Sequence, residues 1–274
     1  MDDNYTGVLV IGHGMRDPSG TAAFLEIVDH VRQLLPETSV EGAFLEFAQP
    51  TITDGISRLA NQGASHIAAV PMFLSALGHT SDDIPAAIAE AERRYQEGSG
   101  FRVQGSGFRG QDSDIEKHEK IIVSLKPHIG AHQRVVELSA LRYRQALEGK
   151  KEIPAEETLL IIAAHGSPEP EAILELTAFA RRRAVLTPIG NVEPCFAVLG
   201  QPQLGEVLPR AAQTQFKRIV VQPHLLLRGR FCDMIRDQVE TFSREYPDKD
   251  WIVTEPLGPD RLLAQAVVEI VNTD

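Results

Sequence analysis

Cysteine is scarce in this chain: Cys195 and Cys232 are the only two in 274 residues. Two thiols supply neither a disulfide framework nor a four-thiolate metal centre, so both are expected to be reduced and packed. Long apolar runs are missing as well. No window approaches the roughly 18 residues that a membrane span needs, and the opening "MDDNYTG" is acidic where a secretory leader is basic. Positive charge is also short, with 27 Lys and Arg against 38 Asp and Glu and a formal net charge of −11. So acidic a surface disfavours nucleic acid and anionic membranes. These absences predict a soluble, cytoplasmic protein whose partners are small molecules or metal ions, with no nucleic acid and no membrane among them.

What is present is enough apolar sequence for a large core. At 43% hydrophobic residues the chain can bury one core or two smaller ones of about 100 to 150 residues each. Residues 6–12 form a β-branched apolar run, and Ala23, Ile27, Val31 and Leu34 then recur at helical spacing over 19–35. A strand near Val40 to Leu45, a helix over 51–62 and a third strand at 66–73, "HIAAVPMF", continue the alternation. A helix is expected from "SDDIP", with acidic residues at its positive end and Pro85 in its first turn. "FRVQGSG" (101–107) reads as a last strand, followed by a charged helix beyond Asp114. Strands alternating with helices imply βαβ crossovers and a mainly parallel sheet with helices on both faces, an α/β fold.

A repeat then becomes visible. "LLIIAAHGSPEP" (159–170) matches "VLVIGHGMRDP" with His165 standing 152 residues after His13. "FAVLGQP" (196–202) falls on "FLEFAQP" (44–50) and "IVVQP" (219–223) on "IAAVP" (67–71) at the same offset, so the pattern is one of duplication. The expected organisation is an N-terminal lobe over 1–130, a linker helix and loop over 131–157, and a C-terminal lobe over 158–274.

In an open parallel sheet, ligands bind beyond the carboxyl ends of the strands. His13 follows the first strand, Glu46 the second, and His79 lies in the loop "LSALGHTSDD" after the third, so order and topology could aim all three at one crevice. Two imidazoles and a carboxylate suit a divalent first-row metal and leave positions open for another ligand. Either imidazole could also take a proton near neutral pH. The competing reading is that a strand-end histidine is a hydrogen-bonded turn residue and Glu46 a solvated carboxylate. Gly12, Gly14 and Gly78 read as room for a bulky ligand beside the backbone.

The duplicate is an internal comparison: position 46 becomes Val198 and position 79 becomes Phe231, while His13 alone keeps a counterpart in His165. The site is therefore expected in the first lobe. His224, opposite Met72, could pair with His165 in a second site. His118, His128 and His132 read as solvated members of a charged helical region weakened by Gly130, "RRR" (181–183) as an exposed helix face, "GSGFRG" (105–110) as a glycine-rich turn without nucleotide-binding spacing, and Cys232 as packing.

With "GHGMRDP", "AFLEFAQP" and "VPMFLSALGH" in this order, the first half resembles the class II chelatases that insert iron or cobalt into sirohydrochlorin. The second half, ending in "VTEPLGPDRLLAQAVVEIV", is similar to the second lobe of the two-lobed members. The resemblance implies two duplicated chelatase-like lobes, the second degenerate. It implies His13 and His79 as metal ligands, His13 as proton acceptor, and Glu46 with Leu74, Ser75, Ala76, Leu77 and Gly78 as tetrapyrrole contacts. It implies no prosthetic group, ferrous or cobaltous ion as metal substrate, and sirohydrochlorin as partner to a monomer or homodimer in siroheme or cobalamin biosynthesis. Met15 stands where the family motif commonly has serine, and the segment from Gln104 to His118 is longer than the family's short "PLG" turn, seen here at 256–258. Arg16, Arg109, Arg228 and Arg230 are candidates for the substrate's carboxylates. A nickel chelatase of the same family and a noncatalytic metal or tetrapyrrole carrier are the alternatives.

Overall fold

The computed structural model describes residues 6–75, 78–97, 120–167 and 169–273, with 78–81 described in backbone alone. The first lobe runs β1 (Gly7–Gly12), α1 (Pro18–Leu34), β2 (Ser39–Phe44), α2 (Ile52–Asn61), β3 (His66–Pro71), α3 (Gly78–Gln96), β4 (Ile122–Leu125) and α4 (Gln133–Leu147). The second runs β5 (Thr158–Ala164), α5 (Pro170–Leu186), β6 (Asn191–Phe196), α6 (Leu204–Ala212), β7 (Arg218–His224), α7 (Arg230–Glu245), β8 (Asp250–Val253) and α8 (Arg261–Val271). Each lobe is a four-stranded parallel sheet of the same order, β2-β1-β3-β4 and β6-β5-β7-β8.

The apolar runs fold as strands buried on both faces, as parallel sheets with helical covers require. In β1, Val8 and Val10 turn to one side and Leu9 and Ile11 to the other. On the outer side Leu9 and Ile11 meet Ile52, Ile56 and Leu59 of α2 and Ile84 and Ile88 of α3. The second lobe repeats this with α6 and α7. Helix α1 starts on Asp17, whose carboxylate accepts from the Ser19 N–H at 3.0 Å, with Pro18 in the first turn.

The inner sides share one core. Helix α8 packs on α1 and β3 of the first lobe, and α4 packs on α5 and β7 of the second. Each lobe's last helix therefore covers the other lobe's sheet. The duplication explains this placement: α4 and α8 both follow the fourth strand, and β4 precedes β8 by 128 residues where the earlier elements stand 152 apart. The first lobe thus carries 24 additional residues between the start of its third helix and its fourth strand. Helix α4, expected as a linker within 131–157, is instead the counterpart of α8, with Val135, Val136, Leu138 and Ala140 buried. The connection proper is the stretch from Glu148 to Glu157.

Other expectations change in the same way. Helix α3 begins at Gly78, so His79 sits in its first turn and Pro85 inside it. The strand expected at 101–107 and the helix beyond Asp114 lie outside the described residues, as do Arg109, His118 and the turn 105–110, and β4 is a strand the periodicity did not mark. His128 and His132 are half-buried caps: their Nδ1 atoms accept from the N–H groups of Gly130 and Arg134 at 3.2 Å each. Glu175 and Glu269 face their Nε2 atoms at 3.3 and 3.6 Å. Gly130 matters for another reason, since a Cβ there would stand 2.0 Å from the Leu74 carbonyl oxygen.

Of the three consecutive arginines, Arg183 is fully buried rather than exposed. Its Nε donates to Ser139 Oγ at 3.2 Å, and its guanidinium lies 5.2 Å from the centre of the Tyr143 ring. Burial lowers its pKa to about 10. Cys195 and Cys232 are both buried and unpaired, and burial raises both thiols, Cys195 to about 12.

Candidate active site

The carboxyl ends of β1 and β2 leave their sheet side by side. The ladder continues one step beyond it, Leu45 N–H donating to Gly12 O and Glu46 N–H to His13 O, both at 2.9 Å. These bonds set the two side chains next to each other. His13 Nε2 lies 3.3 Å from Glu46 Oε1, and both side chains are nearly half exposed. The pair opens to solvent while its backbone is anchored.

Gly14 makes this approach possible. Its φ is 96°, and a Cβ there would stand 1.7 Å from the carbonyl oxygen of Glu46. A Cβ on Gly12 would meet the Phe24 ring at 2.8 Å. Both glycines make room for the protein's own chain, which corrects their reading as space for a flat ligand. Met15 fills the space beside Gly20 and reaches the second lobe: a Cβ on Gly229 would lie 3.3 Å from its Cε.

Around His13 the structure assembles aromatic side chains that composition and spacing did not mark. Phe73 is buried and meets the imidazole edge-on at 6.3 Å, and Phe47 lies near-parallel to it, with 23° between planes and 6.3 Å between centroids. The Arg16 guanidinium stands 4.9 Å from the centre of the Phe47 ring. No sequence signal distinguishes Phe47 from a core phenylalanine. Its exposure follows from a backbone φ of 61° that only the folded loop reveals.

Of the remaining candidates, Leu74 and Ser75 are half-buried behind β3, and the backbone of Leu74 rests on Gly130. Ala76 and Leu77 lie outside the described residues, as does the side chain of His79, and Gly78 is described in backbone alone. Among the described residues no group of three His, Cys, Asp or Glu is arranged to hold a metal ion. Arg228 is paired with Glu255 at 2.7 Å beside an inter-lobe cavity of about 360 Å³, and Arg230 lies over Phe231.

The second lobe repeats the scaffold with different chemistry. Gly166 has a φ of 99°, and a Cβ there would stand 1.7 Å from the Leu199 carbonyl oxygen. His165 hydrogen-bonds Gly166 O through Nδ1 at 3.0 Å, and its ring meets Phe231 at 4.3 Å. His224 packs elsewhere, 4.2 Å from the Phe179 ring, and burial lowers its pKa to about 4. The two second-lobe histidines thus have separate partners.

The comparisons with known proteins bear on both lobes. The CbiX family model matches residues 7–146 and again 159–274. The chain belongs to the CbiX family. The boundary of the first match includes α4, in agreement with its equivalence to α8. This CbiX chain is 28% identical to the sirohydrochlorin cobaltochelatase of Priestia megaterium over 87% of its own length and 70% of that protein's. It is 25% identical to the sirohydrochlorin ferrochelatase of the same organism over 99% and 91%. The sirohydrochlorin cobaltochelatase of Methanocaldococcus jannaschii matches at 30% identity over 48% of this chain and 92% of that one, so it spans about one lobe. A structure of SirB from Bacillus subtilis with Fe3+ superposes with a TM-score of 0.80 at 23% identity, covering 97% of this chain and 93% of that one. That likeness establishes the two-lobed fold.

Proposed function

We propose that this chain is a sirohydrochlorin chelatase, a lyase that inserts ferrous or cobaltous ion into the tetrapyrrole with release of two protons. The observation that carries the reading is the His13–Glu46 pair, 3.3 Å apart and open to solvent at the strand ends of a lobe belonging to a chelatase family. An imidazole can ligate a divalent ion through its neutral nitrogen or take a proton, and a neighbouring carboxylate favours the protonated form. His13 therefore serves first as metal ligand and, once the ion has passed to the macrocycle and freed its nitrogen, as proton acceptor, with Glu46 beside it to relay the proton outward. Neither step needs redox chemistry.

His79 is implied as the second metal ligand by the chelatase resemblance, and its place in the duplicate supports this. Its counterpart Phe231 is likewise the second residue of its helix, α7, and stands against His165. The second lobe keeps the histidine but has Val198 and Phe231 where a carboxylate and an imidazole would be needed. Leu74 to Gly78 are proposed as tetrapyrrole contacts, as the resemblance implies; of these, Leu74 and Ser75 are half-buried behind β3. Among the described residues no helix is long and apolar enough to cross a membrane. The net charge of −11 suits a protein acting on small molecules and metal ions, and the cytoplasm is its proposed location.

Anaerobic absorption spectroscopy of sirohydrochlorin with ferrous, cobaltous or nickel ion tests the reading. The expected result is acceleration by wild type and loss of at least about 100-fold in His13→Ala and His79→Ala, the scale of general acid–base and ligand removal. Binding without acceleration by any ion would identify a carrier instead. Damage from His165→Ala equal to that from His13→Ala, with stability unchanged, would move the site to the second lobe.

A further inference from the structure

We infer that Phe47 and Arg16 form the surface on which the flat face of the tetrapyrrole rests, Phe47 contacting the conjugated ring and Arg16 pairing with a peripheral carboxylate. The inference builds on the chelatase reading of the same site and names two contacts within it. Phe47 is the sole non-glycine residue with positive φ among the described residues. A bulky side chain at φ 61° is a steric outlier, and such strain persists where surrounding structure or function requires it. Core packing does not supply that requirement, because the ring is 54% exposed.

The second lobe shows that the loop can be closed without this conformation. Between β2 and α2, Phe44 N–H donates to Pro50 O, and between β6 and α6, Phe196 N–H donates to Pro202 O, both at 2.9 Å. The loops have equal length, yet the left-handed position in the second falls on Gly200, with φ 104°. Leu199, aligned with Phe47, has no positive φ. The first lobe alone carries an aromatic ring there, directly after Glu46 and near-parallel to His13.

Arg16 adds charge to this surface. Its guanidinium is exposed, lies over the Phe47 ring, and forms no ion pair with a carboxylate among the described residues. An aromatic face bordered by a guanidinium with no ion pair among the described residues matches a conjugated macrocycle bearing carboxylates, through stacking and charge-assisted hydrogen bonds. The protein's net negative charge makes such a local cation necessary for an anionic ligand.

Binding of metal-free sirohydrochlorin, steady-state metalation and thermal unfolding of Phe47→Gly, Phe47→Trp and Arg16→Gln test the inference. Phe47→Gly is expected to melt about 2 °C or more higher because the strain is relieved. It is expected to bind the tetrapyrrole roughly tenfold more weakly and to raise KM alike, with kcat within about threefold. Phe47→Trp should restore binding to within about threefold of wild type. Arg16→Gln should weaken binding and flatten its dependence on salt. Unchanged binding in Phe47→Gly, or weakened binding accompanied by a lower melting temperature, would overturn the role of Phe47. Wild type that binds sirohydrochlorin without metalating it would refute the chelatase reading and leave these contacts standing.

Discussion

At Gly14 the backbone of one strand end touches the carbonyl of the next, and no side chain fits between them. Gly14→Ala would force a Cβ against Glu46 O at a φ that L-residues rarely adopt. A destabilisation of about 2 to 3 kcal/mol in urea unfolding is expected, together with loss of the His13–Glu46 approach. His224 makes a second prediction, on pH. Its folded pKa, lowered by burial to about 4, lies below the value of 6.5 for a free histidine. Between these two pH values the unfolded chain binds a proton that the folded chain does not. Stability is therefore fully present above pH 6.5 and falls with acid through that window, by up to about 3 kcal/mol. His224→Phe should lose that part of the acid sensitivity when unfolding is compared at pH 7 and pH 4.5; an unaltered dependence would refute the assignment. The histidines at 13, 165 and 224 look alike in sequence. Their different surroundings come from strand ends and helix starts that meet only after folding.

Single elements show where periodicity informs and where it stops. The runs around Val8 to Ile11 and Ile67 to Val70 were legible as strands because both faces of each strand are covered and nearly every residue is apolar. Helix α2 was legible from Ile52, Ile56 and Leu59 on one face and Gly63 at its end, and the structure adds a local cause. Thr51 Oγ1 accepts from Asp54 N–H at 3.2 Å, and the Asp54 carboxylate accepts from Thr51 N–H at 3.0 Å, closing a capping box next to the loop that carries Glu46. Thr51→Ala is expected to cost about 1 kcal/mol, read as a lower unfolding midpoint with an unchanged slope. Strand β4 escaped notice because it has only four residues at a sheet edge, two of them exposed, so it carries neither alternation nor a long apolar run. Arg183 escaped for the opposite reason: its burial comes from α4 packing across α5, and no neighbour in sequence reports that.

At the scale of the molecule, the exchange of last helices makes the lobes depend on one another. Phe24, Ile27, Val28 and Val31 of α1 are buried in the core shared with α8, and burying side chains of this size contributes about 1.5 to 3 kcal/mol each. Residues 1–157 produced alone would expose that face. They are expected to self-associate or aggregate, as judged by sedimentation and thermal melting; a monomer that melts cooperatively would show that the lobes are independent. The parallel α/β class, the duplication and the placing of His13 and Glu46 at neighbouring strand ends are readable from the chain alone, because each follows from local periodicity and from an offset of 152 that holds from the first strand to the third helix. Which sheet each last helix covers, that Gly14 serves the chain rather than a ligand, and that Phe47 stands exposed beside His13 are visible only after folding. A helix's apolar stripe requires a partner without specifying which one, and a loop's backbone angles follow from how its two ends are held.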